Sequence, residues 1–465
     1  MNGPATMVVC SGCGHRAPDD DPFPFVCPNA RATDDVDHLM VRELDPARVR
    51  FPEGDEPNPF VRYRELFHAY HMGLAHGTTD ADHVDLVERL DEAVANVDGR
   101  GFQTTPFRPS EELSKHLGCE VWVKDETCNV SGSHKARHLM GLMVHLQVAE
   151  RIGLGPTELP DLAISSCGNA ALAAAVVARA GGRSLRVFVP TWADRTVLAR
   201  LEALGAKTTT CRRKKGVPGD PTYHALRSAV AEGAVAFTCQ GSDNGLTIEG
   251  GETLGYEMVS ELARVDGGLN RLLVQVGGGA LASSCIRAFE DAALLEVPVS
   301  LPRIHAVQTS NAHPLERAYA RVRERAGNEI APSAVVEAMT YARRHRSEFM
   351  WPWEEEPKSI AHGILDDETY DWAAVVAGML ATDGSPVLVS EETLAEANDL
   401  ARRATGIDVD HTGSAGLAGL LDLARRGEIE RDERVAVLFT GVRRSSEGAA
   451  TARGHAAKSR GRKAR

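Results

Sequence analysis

The sequence predicts an α/β protein, and three strand–loop–helix passages carry that prediction. In the first, Glu120–Lys124 reads as a strand, because Val121, Trp122 and Val123 favour the extended state. Ser131-Gly132-Ser133-His134-Lys135 then turns the chain, and Leu139, Met140, Leu142, Met143 and Leu146 recur at helical spacing. In the second, Leu162-Ala163-Ile164 runs into Ser165-Ser166-Cys167-Gly168-Asn169, followed by an alanine-rich helix that Gly181-Gly182 stops. In the third, Leu272–Val276 leads into Gly277-Gly278-Gly279-Ala280 and an apolar helix from about Leu281. Strands that alternate with helices in this way imply parallel sheets covered on both faces.

The loops carry chemistry as well as topology. Glycines at Gly277, Gly278 and Gly279 let the backbone approach an anion closely, and the free N–H groups of a helix start then bind phosphate without a cation. The bland alternative for this loop alone is a tight turn with no ligand. Ser166, Cys167, Gly168 and Asn169 offer a second set of helix-start donors, suited to a carboxylate. Lys135 presents an amine just after a Gly/Ser turn. Exposed lysines near helix starts are common, so it gains weight from standing with the other two loops in matching positions.

On these residues the chain resembles the fold type II pyridoxal phosphate (PLP) enzymes, the group of threonine synthase, serine/threonine dehydratase and the tryptophan synthase β subunit. The resemblance runs from Gln103-Thr104-Thr105-Pro106 to Thr440-Gly441. It implies a tryptophan synthase β-like architecture of two doubly wound αβα domains with the cofactor between them. It further implies that Lys135 joins PLP as an imine, that Asn169 faces the ring hydroxyl, and that Gly277, Gly278, Gly279 and Ala280 hold the phosphate. Thr440, ending Val435–Phe439, resembles the hydroxyl that meets the pyridine nitrogen in threonine synthases. His305-Ala306-Val307-Gln308, His313-Pro314-Leu315 and Thr440-Gly441 look closest to threonine synthase-like members. Against that pattern, His134 and Ala136 replace the usual aromatic and acid around the lysine, and a histidine there is similar to the tryptophan synthase β subunit. Cys167 stands where serine is usual, and the glycine loop ends in Ala280.

What the resemblance implies is a PLP-dependent carbon–oxygen lyase of amino-acid metabolism, acting by β- or γ-elimination or replacement. A neutral hydroxyl at Thr440 leaves the pyridine nitrogen largely unprotonated, which favours expulsion of a leaving group over transamination. The expected substrate is O-phosphohomoserine or a related phosphorylated or hydroxylated amino acid, with Arg137 and Ser133 as candidates to bind a substrate phosphate. The alternatives are a serine/threonine dehydratase-type β-eliminase, a β-replacement enzyme of specialised metabolism, and, in a different class, a non-catalytic PLP-fold regulatory protein. A dinucleotide-binding enzyme is disfavoured, because Gly277–Ala280 lacks the G-x-G-x-x-G spacing.

Composition sets the outer bounds. The chain has 465 residues, 25% of them charged and 43% hydrophobic, enough for two core-bearing domains. A net charge of −13 disfavours a nucleic-acid partner. No apolar run approaches the roughly 20 residues that span a bilayer, and the N-terminus has no basic-then-apolar leader. Nine scattered cysteines suit reduced thiols, so a cytoplasmic enzyme, and by resemblance a homodimer, is expected.

The division expected along the chain is a ribbon-like remnant and arm (1–60), a first part of the large domain with N-terminal helices (61–135), and a small substrate-loop domain (136–243). The rest of the large domain (244–450) and a basic tail (451–465) follow. In the first segment Cys10, Cys13 and Cys27 look like three quarters of a zinc site, with Ala30 where a second C-x-x-C would close. His15 or His38 is the available fourth donor, and a decayed structural remnant is the favoured reading over bound zinc. His68, His71, His76 and His83 read as helix histidines and not as a metal site. Asp410–Gly416 reads equally as a capped helix start or as a loop near the cofactor, and Met350–Trp353 as a packed surface loop.

Overall fold

Continuous apolar runs such as Leu272–Val274 and Val435–Leu438 form strands buried on both faces, as parallel sheets require. The computed structural model describes residues 3–444 except 32, 215, 216, 218, 266, 267, 328–330 and 356; the basic tail therefore lies outside the described residues. In chain order the strands are β1 (Thr6–Cys10), β2 (Met40–Leu44), β3 (Phe107–Pro109), β4 (Glu120–Asp125), β5 (Leu162–Ser165) and β6 (Leu185–Pro190). They continue with β7 (Lys207–Cys211), β8 (Val235–Ala236), β9 (Arg271–Gln275), β10 (Arg303–Thr309), β11 (Pro386–Val389) and β12 (Arg434–Phe439). One sheet has the order β11-β10-β9-β12-β4-β3, a second β7-β6-β5-β8, and β1 pairs with β2 alone. Both larger sheets are parallel throughout, apart from the antiparallel β3–β4 pair. Helices cover them, so the architecture is the αβα pair that the motifs predicted.

A buried charge cluster joins the elements around β4. Arg137, on the helix Lys135–Arg151, donates to Glu126 through Nε (2.8 Å) and Nη2 (2.9 Å). Its Nη1 reaches Glu257 on the helix Thr247–Leu262 at 2.8 Å. Lys124, at the end of β4, pairs with the same Glu257 and donates to the Thr105 carbonyl at 2.8 Å. The four charged side chains are essentially solvent-free, and their charges cancel. Burial raises the Glu126 carboxyl, but the Arg137 and Lys124 charges outweigh it and hold the group at about 2. The placement removes Arg137 from the candidates for a substrate phosphate, because its donors are already spent on Glu126, Glu257, Thr105 and Thr253.

The N-terminal ribbon is packed into the body of the protein. Arg42 of β2 is buried against Asp291 (2.8 Å), Glu252 and Glu249 (3.3 Å). Backbone bonds join Asp37 N–H to the Arg343 carbonyl (2.7 Å) and Gly245 N–H to the Phe25 carbonyl (2.9 Å). The N-terminal histidines behave as packing groups: His68 bonds Thr6 at 2.9 Å, His71 bonds the Glu65 carbonyl at 2.7 Å, and His83 packs edge-on to Tyr70, while His76 is exposed. Met350–Trp353 is a packed surface turn, with the Arg317 guanidinium 3.6 Å from the Trp351 ring centroid.

Two outcomes follow from this packing. Arg137→Met leaves two buried carboxylates facing one lysine, and the expected loss of stability is about 3–5 kcal/mol by urea unfolding; a loss below about 1 kcal/mol would mean that the cluster does not hold the fold. Separately, burial lowers His68 and His138 to about 3 and His83, His145 and His305 to about 4. These rings are neutral when folded and take a proton near pH 6.5 when unfolded. Their contribution is therefore fully present above about pH 6.5 and is lost as pH falls toward 4, at about 1.4 kcal/mol per pH unit for each ring. The urea midpoint should drop steadily between about pH 6.5 and pH 5, and a flat midpoint would contradict the burial.

Candidate active site

In an open parallel sheet ligands collect where the strands end and the loops begin. The register here brings three such ends together: Leu438 of β12 stands opposite Lys124 of β4, and Val437 opposite Leu273 of β9. The turn after β4 is joined to the chain after β12. Glu126 N–H donates to the Phe439 carbonyl (2.8 Å), His134 N–H to the Thr440 carbonyl (3.1 Å) and Val442 N–H to the Gly132 carbonyl (2.9 Å). Ser131 is held at a left-handed φ of 54° by Asp98, which accepts its N–H at 2.8 Å, and by Arg444, which donates to its carbonyl at 2.8 Å. These contacts fix Lys135 as the first residue of its helix, beside Thr440.

Thr440 is buried, and its hydroxyl oxygen accepts from Gln275 Nε2 at 2.7 Å. The same amide nitrogen also donates to the Gly413 carbonyl (2.9 Å) and the Leu438 carbonyl (3.2 Å), which settles its orientation. With its oxygen engaged as an acceptor, Thr440 has its proton left to donate. Asn169 is ordered in a similar way. Its Oδ1 accepts from Arg444 Nη2 (2.8 Å) and Nε (3.2 Å), which turns Nδ2 toward Gly441, where a Cβ would lie 2.7 Å from it. The loop Ser166–Gly168 before it is half-buried, with Gly168 N–H reaching Ser166 Oγ at 3.4 Å. Burial, reinforced by Asp220, pushes the Cys167 thiol up to about 11, so it is a neutral group there and not a nucleophile. The loop Asp410–Gly416 packs on the same ends, with Asp410 N–H on the Gly441 carbonyl (3.0 Å) and Thr440 N–H on the Gly413 carbonyl (3.3 Å).

The glycine loop holds an oxyanion supplied by the protein itself. Gly279 takes φ +98° to start the helix Ala280–Leu294, a conformation that glycine adopts without strain. The Asp366 carboxylate faces the Gly278 N–H, and a side chain on Gly277 would collide with Asp366 Oδ2. Asp371 N–H in turn donates to the Gly278 carbonyl at 2.9 Å. The carboxylate of Asp366 thus lies against Gly277 and Gly278, close to the backbone of the glycine loop. Burial pushes Asp366 up to about 6 and Asp371 up to about 7, opposed in both by the charge of Lys135. Around them Ser133 Oγ, His134 Nε2, Thr369 Oγ1 and Asp371 Oδ1 are buried without a protein hydrogen-bond partner. His134 is kept neutral by burial and by Lys135.

Lys135 and Thr440, past strands of the six-stranded sheet, therefore meet Asn169, past β5 of the four-stranded sheet, with the glycine loop at the end of β9 beside β12. Gln275, Arg444 and Asp366 belong to the same place and were not among the sequence candidates. Gln275 did leave a signal, a lone amide inside the apolar run Leu272–Val276. Arg444 and Asp366 left none, because only the fold brings them to Asn169 and Gly278.

Comparison with known proteins agrees with this geometry. The family described as "Pyridoxal-phosphate dependent enzyme" matches residues 100–441. The threonine synthase of Methanocaldococcus jannaschii is 24% identical over 342 residues, covering 72% of this chain and 74% of that protein. The L-serine dehydratase of Saccharomyces cerevisiae is 30% identical over 183 residues, or 38% of this chain and 54% of that protein. Among solved structures, the processed form of threonine deaminase isoform 2 from Solanum lycopersicum superposes with a TM-score of 0.58 at 17% identity, covering 81% and 94% of the two chains.

If the loop binds one anion at a time, Asp366 competes with an incoming phosphate. Asp366→Asn should tighten binding of inorganic phosphate and of PLP several-fold in an absorbance titration. Unchanged or weaker binding would show that Asp366 does not occupy the phosphate position.

Proposed function

The chain belongs to the pyridoxal-phosphate-dependent enzymes, and from that premise we propose that it is a lyase that eliminates or replaces a β or γ substituent of an amino acid. The observation that carries this reading is the Gln275–Thr440 hydrogen bond (2.7 Å), which leaves Thr440 its proton and would let it donate to the cofactor's ring nitrogen. A nitrogen that only accepts a hydrogen bond stays neutral, and elimination is then favoured over transamination.

The groups present fit the cofactor. Gly277, Gly278, Gly279 and Ala280 would hold its phosphate where the Asp366 carboxylate now sits, Asn169 would donate to its ring hydroxyl, and Lys135 would carry it covalently. When bound, PLP supplies an electron sink that makes the substrate's Cα–H acidic. The chain's own residues do the rest. Once the substrate's amine has replaced it on the cofactor, the freed amine of Lys135 would take the proton from Cα. Ser166, Cys167, Gly168 and Asn169 orient the substrate carboxylate with N–H groups at the start of the helix Asn169–Ala180. Cys167, neutral at its raised pKa, adds no competing charge or thiolate there. Burial of Ser133, His134 and Thr440 keeps water from the reacting atoms.

The leaving group divides two readings. The threonine synthase-like reading needs basic or hydroxyl groups for a substrate phosphate; of the two sequence candidates Ser133 keeps an unpartnered hydroxyl, but Arg137, the one cation, is closed inside its ion cluster. That observation favours the dehydratase-type reading, in which a hydroxyl leaves from serine or threonine. We further place the enzyme in a reducing cytoplasm, on the evidence of its nine unbridged cysteines, and as a homodimer, as the family resemblance implies.

The deciding experiment incubates the PLP-loaded enzyme with serine, threonine, O-phosphoserine, O-acetylserine and O-phosphohomoserine, and measures 2-oxo acid and phosphate release. Turnover of one compound, abolished in Lys135→Ala, is the expected result; no turnover with any of them would defeat the lyase reading. Gln275→Leu should lower kcat on the order of 10-fold with little change in KM, the size of one lost hydrogen bond. An unaltered kcat would separate Thr440 from the chemistry.

A further inference from the structure

The sequence left His15 or His38 as the fourth donor beside the N-terminal cysteines, and the fold brings His38 to them. Cys10 ends β1, Cys13 follows one turn later, Cys27 lies in the loop beyond, and His38 comes just before β2. One donor atom from each lies within 4.8 Å of the other three. Cys13 Sγ is 3.6 Å from Cys27 Sγ, and Cys10 Sγ is 3.4 Å from His38 Nδ1. Bond lengths of about 2.3 Å to sulfur and about 2.0 Å to nitrogen give a tetrahedron whose edges are about 3.5–3.8 Å. The observed separations match such edges. They also exceed by far the roughly 2.05 Å of a disulfide. We propose that Cys10, Cys13, Cys27 and His38 form a closed tetrahedral zinc site that secures the N-terminal segment to the catalytic body.

The surroundings are arranged for ligands that carry charge. Backbone N–H groups of Gly12 and Cys13 point at the Cys10 sulfur, that of His15 at Cys13, and that of Asn29 at Cys27. The Asn29 side chain adds a donor to Cys13 Sγ at 3.6 Å. His38 directs Nδ1 into the cluster while its Nε2 meets Asp34 Oδ2 at 3.4 Å. A carboxylate on the outer nitrogen fixes the ring and its tautomer, as it does for metal-bound imidazoles generally. The turn also closes tightly. Ser11 N–H donates to the Leu39 carbonyl at 2.8 Å, and any side chain at Gly12 would collide with the Asp37 carbonyl. Three thiolates and one imidazole with no open position suit structural Zn²⁺ and leave no place for substrate.

The site sits behind the cofactor loop. Leu39, next to His38, packs against Gly241, whose N–H approaches Asp371 Oδ2 at 3.4 Å, and Asp371 lies against Gly279. Zinc at this point would hold the segment that backs the phosphate cradle, so its loss should reach PLP binding without touching any residue that contacts PLP.

The test begins with metal analysis of the full-length enzyme purified without chelator, and with the chain refolded in Co²⁺. One zinc per chain, together with the intense visible bands of tetrahedral thiolate-bound Co²⁺, is the expected result. His38→Ala and the exposed Cys13→Ser should each lose those bands, while Asp34→Ala should keep them and weaken metal affinity 10- to 100-fold. Circular dichroism of each variant separates metal loss from unfolding. Folded wild-type enzyme that carries no zinc and gives no such bands with Co²⁺ would overturn the assignment, and so would a Cys13–Cys27 disulfide in freshly purified protein. The metal readout needs no turnover, so it stands or falls independently of the lyase reading.

Discussion

The four-charge cluster of Lys124, Glu126, Arg137 and Glu257 is the constraint on which the site depends. Each member comes from a different element: the end of β4, the turn after it, the helix that begins at Lys135, and the helix Thr247–Leu262. Burying four charges is costly, and an apolar core of the same volume can be as stable. An apolar core, however, tolerates small rotations that a bidentate guanidinium does not. Arg137 follows Lys135 by two residues, so the cluster fixes the angle at which the lysine leaves its helix. A single turn of slippage would break Arg137 from Glu126 and from Glu257 together.

From that anchor the polarity of the site is set by hydrogen bonds whose direction is forced. Gln275 can only donate through Nε2, because two of its three partners are carbonyl oxygens, so Thr440 must accept from it and donate elsewhere. Arg444 can only donate, so Asn169 must accept through Oδ1 and present Nδ2. Neither Thr440 nor Asn169 is committed by its own chemistry, since each can accept or donate. Their neighbours decide, and both are turned into donors, Thr440 past the end of β12 in the six-stranded sheet and Asn169 past the end of β5 in the four-stranded one. That is the set of donors a neutral ring nitrogen and a ring oxygen would need.

Local features of the site were legible in the sequence. Ser166–Asn169, Gly277–Ala280 and Thr440 all follow apolar strands within a few residues, and Lys135 opens the helix after a Gly/Ser turn, so their placement needs no knowledge of the fold. The neighbours that give those residues direction were not legible in the same way, because Arg444 and Asn169 are 275 residues apart. Arg137 misled for a related reason. A basic residue beside the catalytic lysine looks available to substrate until Glu257, from a distant helix, is seen to hold it. In the N-terminal segment the sequence offered His15 or His38 as a fourth donor and could not choose between them; β1–β2 pairing, with Cys10 opposite Met40, brings His38, just before β2, to the cysteines.

The acids around the glycine loop bear on how the cofactor enters. Asp371 is buried and Asp366 half-buried, and both are raised toward neutrality because only Lys135 and backbone N–H groups offset the loss of solvent. A phosphate dianion cannot be added beside an ionised Asp366 on the same N–H groups, since like charges at hydrogen-bond distance repel strongly out of water. Either the carboxyl takes a proton or the segment that carries it withdraws. Withdrawal is mechanically plausible along one path. Asp367, the next residue, is tied through its carbonyl to Trp353 N–H (2.9 Å), in the turn that Arg317 and Trp351 hold on the surface. Movement of Asp366 therefore pulls on a packed turn, while Asp371 stays joined to Gly278 and Gly241. Between the two acids Thr369 keeps a buried hydroxyl with no protein partner, beside Gly279 at the start of its helix.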